Sequence, residues 1–324
     1  MITLDKIKII SVPDNIIVKK EEVFESIIKD GVIITQKYTI LSPYNLYIEI
    51  KQNKQELILE FTGKILKDKY PLLINKDTIR ECLSNINSIG ICELNVEAII
   101  NGGVVYKIDV TKDVECHNLK QLTDEIMSSI SSHRKYVVRN IGGNLVVEKN
   151  VVTRQRKKRL SVYDKSTELA KECNRDFLNS LDNRNDCIDF YKDKVRFELN
   201  LNSAQEIKKS LRIKDTKLMT ILYAEANPIA EFLDKILIDE VLPKEITKIS
   251  DYNRWQTLIN NDFDLSKVEG IVRRYSAKGT HICQVMKPYR RLLSLTTNNN
   301  HRIKDRLHIM LLEILIPIVF VCSF

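Results

Sequence analysis

This sequence has seven cysteines but no CxxC pair, and its cysteines are scattered and odd in number. That argues against a disulfide framework and a zinc ribbon, and fits a reducing, cytoplasmic setting. The pair Gly63-Lys64 lacks the glycine and the spacing of a phosphate-binding loop, so neither a nucleotide cofactor nor ATP hydrolysis is expected. No Cys or Ser stands at a diagnostic spacing from a His, and no repeats or low-complexity segments occur. The opening residues lack the long apolar run of a signal peptide. Residues 310–324 are very apolar but contain Glu313 and Pro317, short of the ~20 apolar residues a membrane span needs. A buried or partner-facing terminal helix is expected there.

What is present is an ordinary globular composition, 44% hydrophobic and 29% charged over 324 residues, long enough for two domains. The net charge is +8, which favours a polyanionic partner. Residues 254–306 hold 11 Lys or Arg against 4 Asp or Glu, so most of the surplus sits near the C-terminal end. A second basic block, RQRKKR, covers Arg154, Arg156, Lys157, Lys158 and Arg159, and beside Tyr163 it is expected to contact DNA phosphates, with a localisation patch or a solvated loop as the other readings.

Three alternating runs between Val32 and Leu66, broken by SPYN and KQNK, predict an antiparallel meander. A short helix is expected over 75–86. The stretches ICELNVEAII and VVYKIDV flank Asn101-Gly102-Gly103 and predict a hairpin. On its second strand Lys107, Asp109 and Thr111 share one face. A helix over 118–132 and two strands around Gly142-Gly143 lead into RLSVYDKSTEL, and KVRFELNL follows after a polar helical run. Beyond Asn202 the pattern turns helical, with Ser203 and Glu206 spaced as a capping box. The expected fold is therefore α+β. An antiparallel sheet with helices on one face fills 1–202, and a mainly helical basic domain, for DNA binding or oligomerisation, fills 203–324.

Strand alternation puts Tyr163 and Lys165 on one polar face and Arg196 and Glu198 on another, with Asp109 upstream. If these strands are neighbours, the groups converge on the uncovered side of the sheet, within reach of Glu168. The set suits attack on a phosphodiester. Tyr163 would be the nucleophile, Lys165 would favour its phenolate, and Arg196 would clamp a non-bridging oxygen. Carboxylates would hold Mg²⁺ or Mn²⁺. Blander readings stand beside it: Tyr163 as a packing residue, Arg196 and Glu198 as a cross-strand ion pair, Glu168 as a complement to its helix dipole. Tyr136 and Tyr191 are rival nucleophiles.

YDKSTEL followed by VRFELNLNSAQEI resembles the rolling-circle replication initiators of plasmids and filamentous-type phages, and YKIDVTKD resembles the strand those proteins carry upstream. The likeness spans about Val104 to Asn202. It implies Tyr163 as the DNA-linking residue and Asp109, Glu168 and Glu198 as metal ligands. The five histidines include no pair flanking a hydrophobic residue, so the carboxylate version of the metal site is the one implied. The implied activity is strand-specific nicking and rejoining of single-stranded or cruciform origin DNA. A host helicase and a second copy of the chain are the further partners. A conjugative relaxase uses the same chemistry, and an initiator or regulator that binds DNA without cutting it is the alternative of a different class.

The C-terminal segment RWQTLINNDFDLSKVEGIVRRYSAKGTHICQVMKPYRRLLSL predicts consecutive short helices. The last would bear His281, Gln284, Lys287, Arg290 and Arg291, with Arg273 and Arg274 on phosphates, as in a helix entering a major groove. A merely basic helical face reads equally well.

Overall fold

The computed structural model describes residues 2–128, 136–149, 158–237, 245–261, 263–295, 307 and 309–311. Its strands are β1 (Leu4–Ser11), β2 (Ile16–Val18), β3 (Glu25–Lys29), β4 (Val32–Ile40), β5 (Leu46–Lys51), β6 (Glu56–Thr62), β7 (Cys92–Leu94), β8 (Val104–Glu115), β9 (Tyr136–Ile141), β10 (Asn144–Lys149), β11 (Lys158–Asp164) and β12 (Lys194–Leu201). All but β2 and β7, which pair with each other, join one ten-stranded sheet in the order β3-β4-β5-β6-β1-β8-β12-β11-β10-β9. Every pairing is antiparallel.

Period-two alternation sorts the two faces. Ile7, Phe61, Ile108 and Leu199 are fully buried on one. Helices Ala204–Leu211 and Pro228–Ile236 pack on that side against β8 and β12. The sheet unit thus runs on past the change of character at Asn202, to Ile236. The first of these helices is capped as expected, with the Ser203 side chain accepting from the Glu206 amide. Part of the polar face is covered too. The 3-10 stretch Gly63–Leu72 and the helices Lys165–Leu169 and Arg184–Tyr191 bring Tyr70, Leu169 and Tyr191 into one buried cluster there.

The meander over β4, β5 and β6 forms as the alternation predicts. The expected hairpin at Asn101-Gly102-Gly103 does not. Residues Val96–Gly102 form a helix, because the Asn95 side chain caps it by accepting from the Ala98 amide at 3.1 Å. Gly103 is the point of closest approach, where an added Cβ would stand 2.5 Å from the Ile99 carbonyl oxygen.

Residues from Leu237 to Ile309 belong to a second compact unit. Helices Ile249–Ile259, Leu265–Tyr275 and Ile282–Leu293 enclose Trp255, Leu258, Val268, Met286 and Leu292. Among the described residues no helix is long and apolar enough to cross a membrane. Most of the apolar stretch 310–324 lies outside the described residues, as do Arg154, Arg156 and Lys157.

Candidate active site

Strands β11, β12 and β8 are neighbours, and their registers set nine side chains in three rows on one face. The rows are Tyr163–Arg196–Asp113, Ser161–Glu198–Thr111 and Arg159–Asn200–Asp109. The sequence reading placed Asp109, Tyr163, Arg196 and Glu198 on a shared face, and the register brings all four together.

Tyr163 does not point straight across its own row. Its hydroxyl donates to Glu198 Oε2 at 2.8 Å, in the middle row. Asn200 donates to the other oxygen, Oε1, at 2.9 Å. Burial, then the charge of Glu198, pushes the Tyr163 phenol well above its ordinary range, and Arg196 offsets this only in part. The phenol is therefore held protonated next to a proton acceptor.

Asp109 is the strained member of the set. It is 7% exposed, and its Oδ1 is shut from solvent with no hydrogen-bond partner. Burial first, then the Glu198 charge, raises its carboxyl to about 7, while a hydrogen bond from Asn200 works the other way. The Lys107 charge also offsets the shift on Asp109 only in part. Mg²⁺ commonly takes one or two protein carboxylates and fills its remaining positions with water and phosphate oxygens. Asp109 and Glu198 fit that pattern.

Glu168 does not join them, and among the described residues no three His, Cys, Asp or Glu side chains converge as a metal site. Its Oε2 accepts from Lys165 at 2.6 Å and its Oε1 from Asn174 at 3.1 Å. Burial works to raise its carboxyl, but Lys165 and these hydrogen bonds hold it below the usual value.

Lys165 is not positioned as expected either. Asp164 leaves the strand to cap a helix, accepting from the Thr167 amide at 2.7 Å, so Lys165 becomes that helix's first residue. It is 2% exposed, and its ammonium lies 5.3, 5.8 and 6.0 Å from the ring centres of Tyr70, Tyr191 and Tyr163. It stands over the Tyr163 ring and is paired with Glu168.

Arg196 offers no free fork for a phosphate. It is 0% exposed and all five of its N–H groups are engaged. Nε and Nη2 grip Asp113 at 2.7 Å each, and Nη1 donates to Asp5 at 2.6 Å. The hydroxyls of Tyr70 and Tyr191 accept at 3.1 and 3.2 Å. Its ion-pair partners are thus Asp113 and Asp5, not Glu198. Burial alone would raise the Asp5 carboxyl, yet Arg196 and Lys165 hold it low.

Asp5 and Asp113 are the residues the sequence reading missed. Asp113 shares the period-two face of Asp109 and Thr111 on β8, a signal open to view. Asp5 sits where the β1 register against β8 shifts, and such an irregularity re-aims a side chain that alternation would place elsewhere.

The rival tyrosines are placed elsewhere. Tyr191 is fully buried under Arg196, and Tyr136 packs edge-on against Phe232, ring centres 5.5 Å apart. In the basic run, Lys158 faces away from the site. Its ammonium donates to Ser210 at 3.0 Å and lies 4.9 Å from the Phe232 ring centre. Burial lowers it to about 8. It is a packing cation, not a phosphate contact.

In the second unit, Arg273, Arg274, Lys287, Arg290 and Arg291 are all exposed. Arg273 pairs with Glu269 one turn back, and Arg291 reaches Asp251 at 2.5 Å. No protein-family model and no curated protein matches this chain.

Proposed function

We propose that this protein starts rolling-circle replication of a plasmid or phage genome by nicking and rejoining its origin through Tyr163. The observation that carries the reading is the Tyr163 hydroxyl, 2.8 Å from Glu198 and on the same sheet face as the unpartnered Asp109 oxygen. In the proposed step the Tyr163 oxygen attacks phosphorus while its proton passes to Glu198. The bond from phosphorus to the 3′-oxygen breaks, and that oxygen takes up a proton from solvent water as it leaves. A 5′-phosphotyrosine and a free 3′-hydroxyl result, and the reverse reaction reseals the strand. Mg²⁺ or Mn²⁺ held by Asp109 and Glu198 would stabilise the charge that develops on the phosphate. Glu198 also orients the phenol, and Asn200 orients Glu198. The exposed basic residues of the second unit, Arg273 and Arg274 among them, suit duplex phosphates. The setting is cytoplasmic, and a host helicase unwinds the duplex from the nick.

The test is incubation of the full chain with Mg²⁺ and supercoiled DNA of the replicon that carries the gene. Relaxed circles with protein on the 5′ end are expected. Tyr163→Phe should form no adduct yet still shift the DNA on a gel. An adduct of undiminished yield from that variant removes Tyr163 from the mechanism, and wild-type activity that survives EDTA removes the metal. A gel shift without any relaxation would leave an initiator that binds and does not cut.

A further inference from the structure

We infer that Arg159 is the side chain that holds the phosphodiester at this site, in the role that Arg196 cannot fill. The inference rests on the nicking reading. It starts from two facts about arginine: its guanidinium cannot shed its proton, and it carries five donors that need acceptors. Arg196 has an acceptor for each. Arg159 differs, because its Nε is shut from water and has no hydrogen-bond partner. Native structures seldom leave a buried N–H unsatisfied, and a charged one least of all, unless a ligand completes it.

Its position says what that ligand touches. Arg159 lies on β11 opposite Asn200, whose other neighbour is Asp109. The row continues past Arg159 to Glu148 on β10, so the guanidinium stands between Asn200 and a buried carboxylate, with Asp109 at the far end. Glu148 balances its charge, but the Arg159 Nε–H and the Asp109 Oδ1 are each buried without a hydrogen-bond partner. Between them Asn200 donates to Glu198, which accepts from Tyr163. Tyr163 is four residues along β11, about 13 Å at the backbone. Its hydroxyl, however, is drawn back to the Glu198 row, leaving about 7 Å from that row to the Arg159 row. An extended arginine covers one such step. A phosphate seated over Glu198 would then meet the phenol on one side and the guanidinium on the other. Arginine's planar fork suits two phosphate oxygens where a lysine supplies a point charge.

The other cations near the hydroxyl are committed elsewhere. Lys165 pairs with Glu168 at 2.6 Å, and Lys158 turns to the opposite face of the sheet.

The experiment compares Arg159→Met and Arg159→Lys with the wild type in the full chain, scoring adduct formation at the nick mapped on the replicon. Arg159→Met should slow the adduct by roughly 10²–10³-fold, the usual loss on removing one donor to a developing oxyanion, and Arg159→Lys should recover part of it. Sulfur in place of a non-bridging oxygen at the nick should slow the wild type. It should have a smaller effect on Arg159→Met, whose arginine contact is already gone. A wild-type rate in Arg159→Met, or an undiminished sulfur effect, overturns the inference. If circular dichroism shows Arg159→Met unfolded, the sulfur comparison is made on Arg159→Gln, which keeps a polar side chain and lacks the charge, and a full wild-type effect there overturns it equally.

A second measurement separates this inference from the reading beneath it. If the wild type forms no adduct at all, nicking falls. Oligothymidylate binding by Arg159→Lys and Arg159→Met then decides the phosphate contact. Arg159→Met should lower the slope of log affinity against log salt by about 0.7, the increment for one single-strand phosphate contact, and Arg159→Lys should keep it. Equal slopes in all three proteins overturn the contact.

Discussion

Tyr163 and Glu198 are joined across neighbouring strands by a 2.8 Å hydrogen bond, although Tyr163 is in register with Arg196. The phenol leans one row along the sheet to make it. Since burial and the Glu198 charge both keep the phenol protonated, any attack by its oxygen needs a group that takes the proton in the same step.

Glu198→Gln keeps an oxygen that can accept from Tyr163 and removes the basicity. Adduct formation should fall by about 10²–10⁴-fold, the span seen for general bases, with DNA binding nearly unchanged. Single-turnover rates and a gel shift on the same preparation check this. A rate within threefold of wild type would mean that the proton leaves by another route.

Arg196 is expected to matter for folding before it matters for chemistry. Arg196→Met leaves Asp5 and Asp113 without their shared cation, and breaking a buried pair from one side costs about 3–5 kcal/mol. Urea or thermal unfolding should show a loss of that size. A variant with unchanged stability and no nicking would restore Arg196 to the phosphate.

The difference between Arg196 and the meander shows what was legible in the sequence. Strands β4, β5, β6, β11 and β12 carry their signal locally, since alternation against a half-buried sheet repeats every two residues. The shared face of Asp109, Tyr163 and Glu198 follows from that alternation once the strands are neighbours. The saturation of Arg196 does not. Its partners Asp5 and Asp113 lie 191 and 83 residues away in the chain, and local pattern holds no record of such pairings. Lys165 was misplaced for a different reason. Asp164 ends the strand by capping a helix, which breaks the alternation one residue before Lys165. The hairpin at Asn101-Gly102-Gly103 failed likewise, because the Asn95 cap acts six residues before the turn signal begins.

Asp109 makes stability depend on pH in a direction opposite to that of most carboxylates. Burial and then Glu198 raise its folded-state value from 3.8 to about 7, so the folded protein holds a proton that the unfolded chain releases. Between those two values the folded state binds more protons, and stability is lost as pH rises, with the whole penalty present above 7. The shift bounds that penalty at about 4 kcal/mol. Asp109→Asn removes the charge and keeps the shape. It should therefore unfold at a higher temperature than wild type at pH 8, and the gap should shrink toward pH 4. The same substitution should abolish metal-dependent nicking, and Mg²⁺ at pH 8 should raise the melting temperature of the wild type more than that of Asp109→Asn. A melting difference that is the same at both pH values would show that this carboxylate carries no such burden. The case for its holding a cation would go with it.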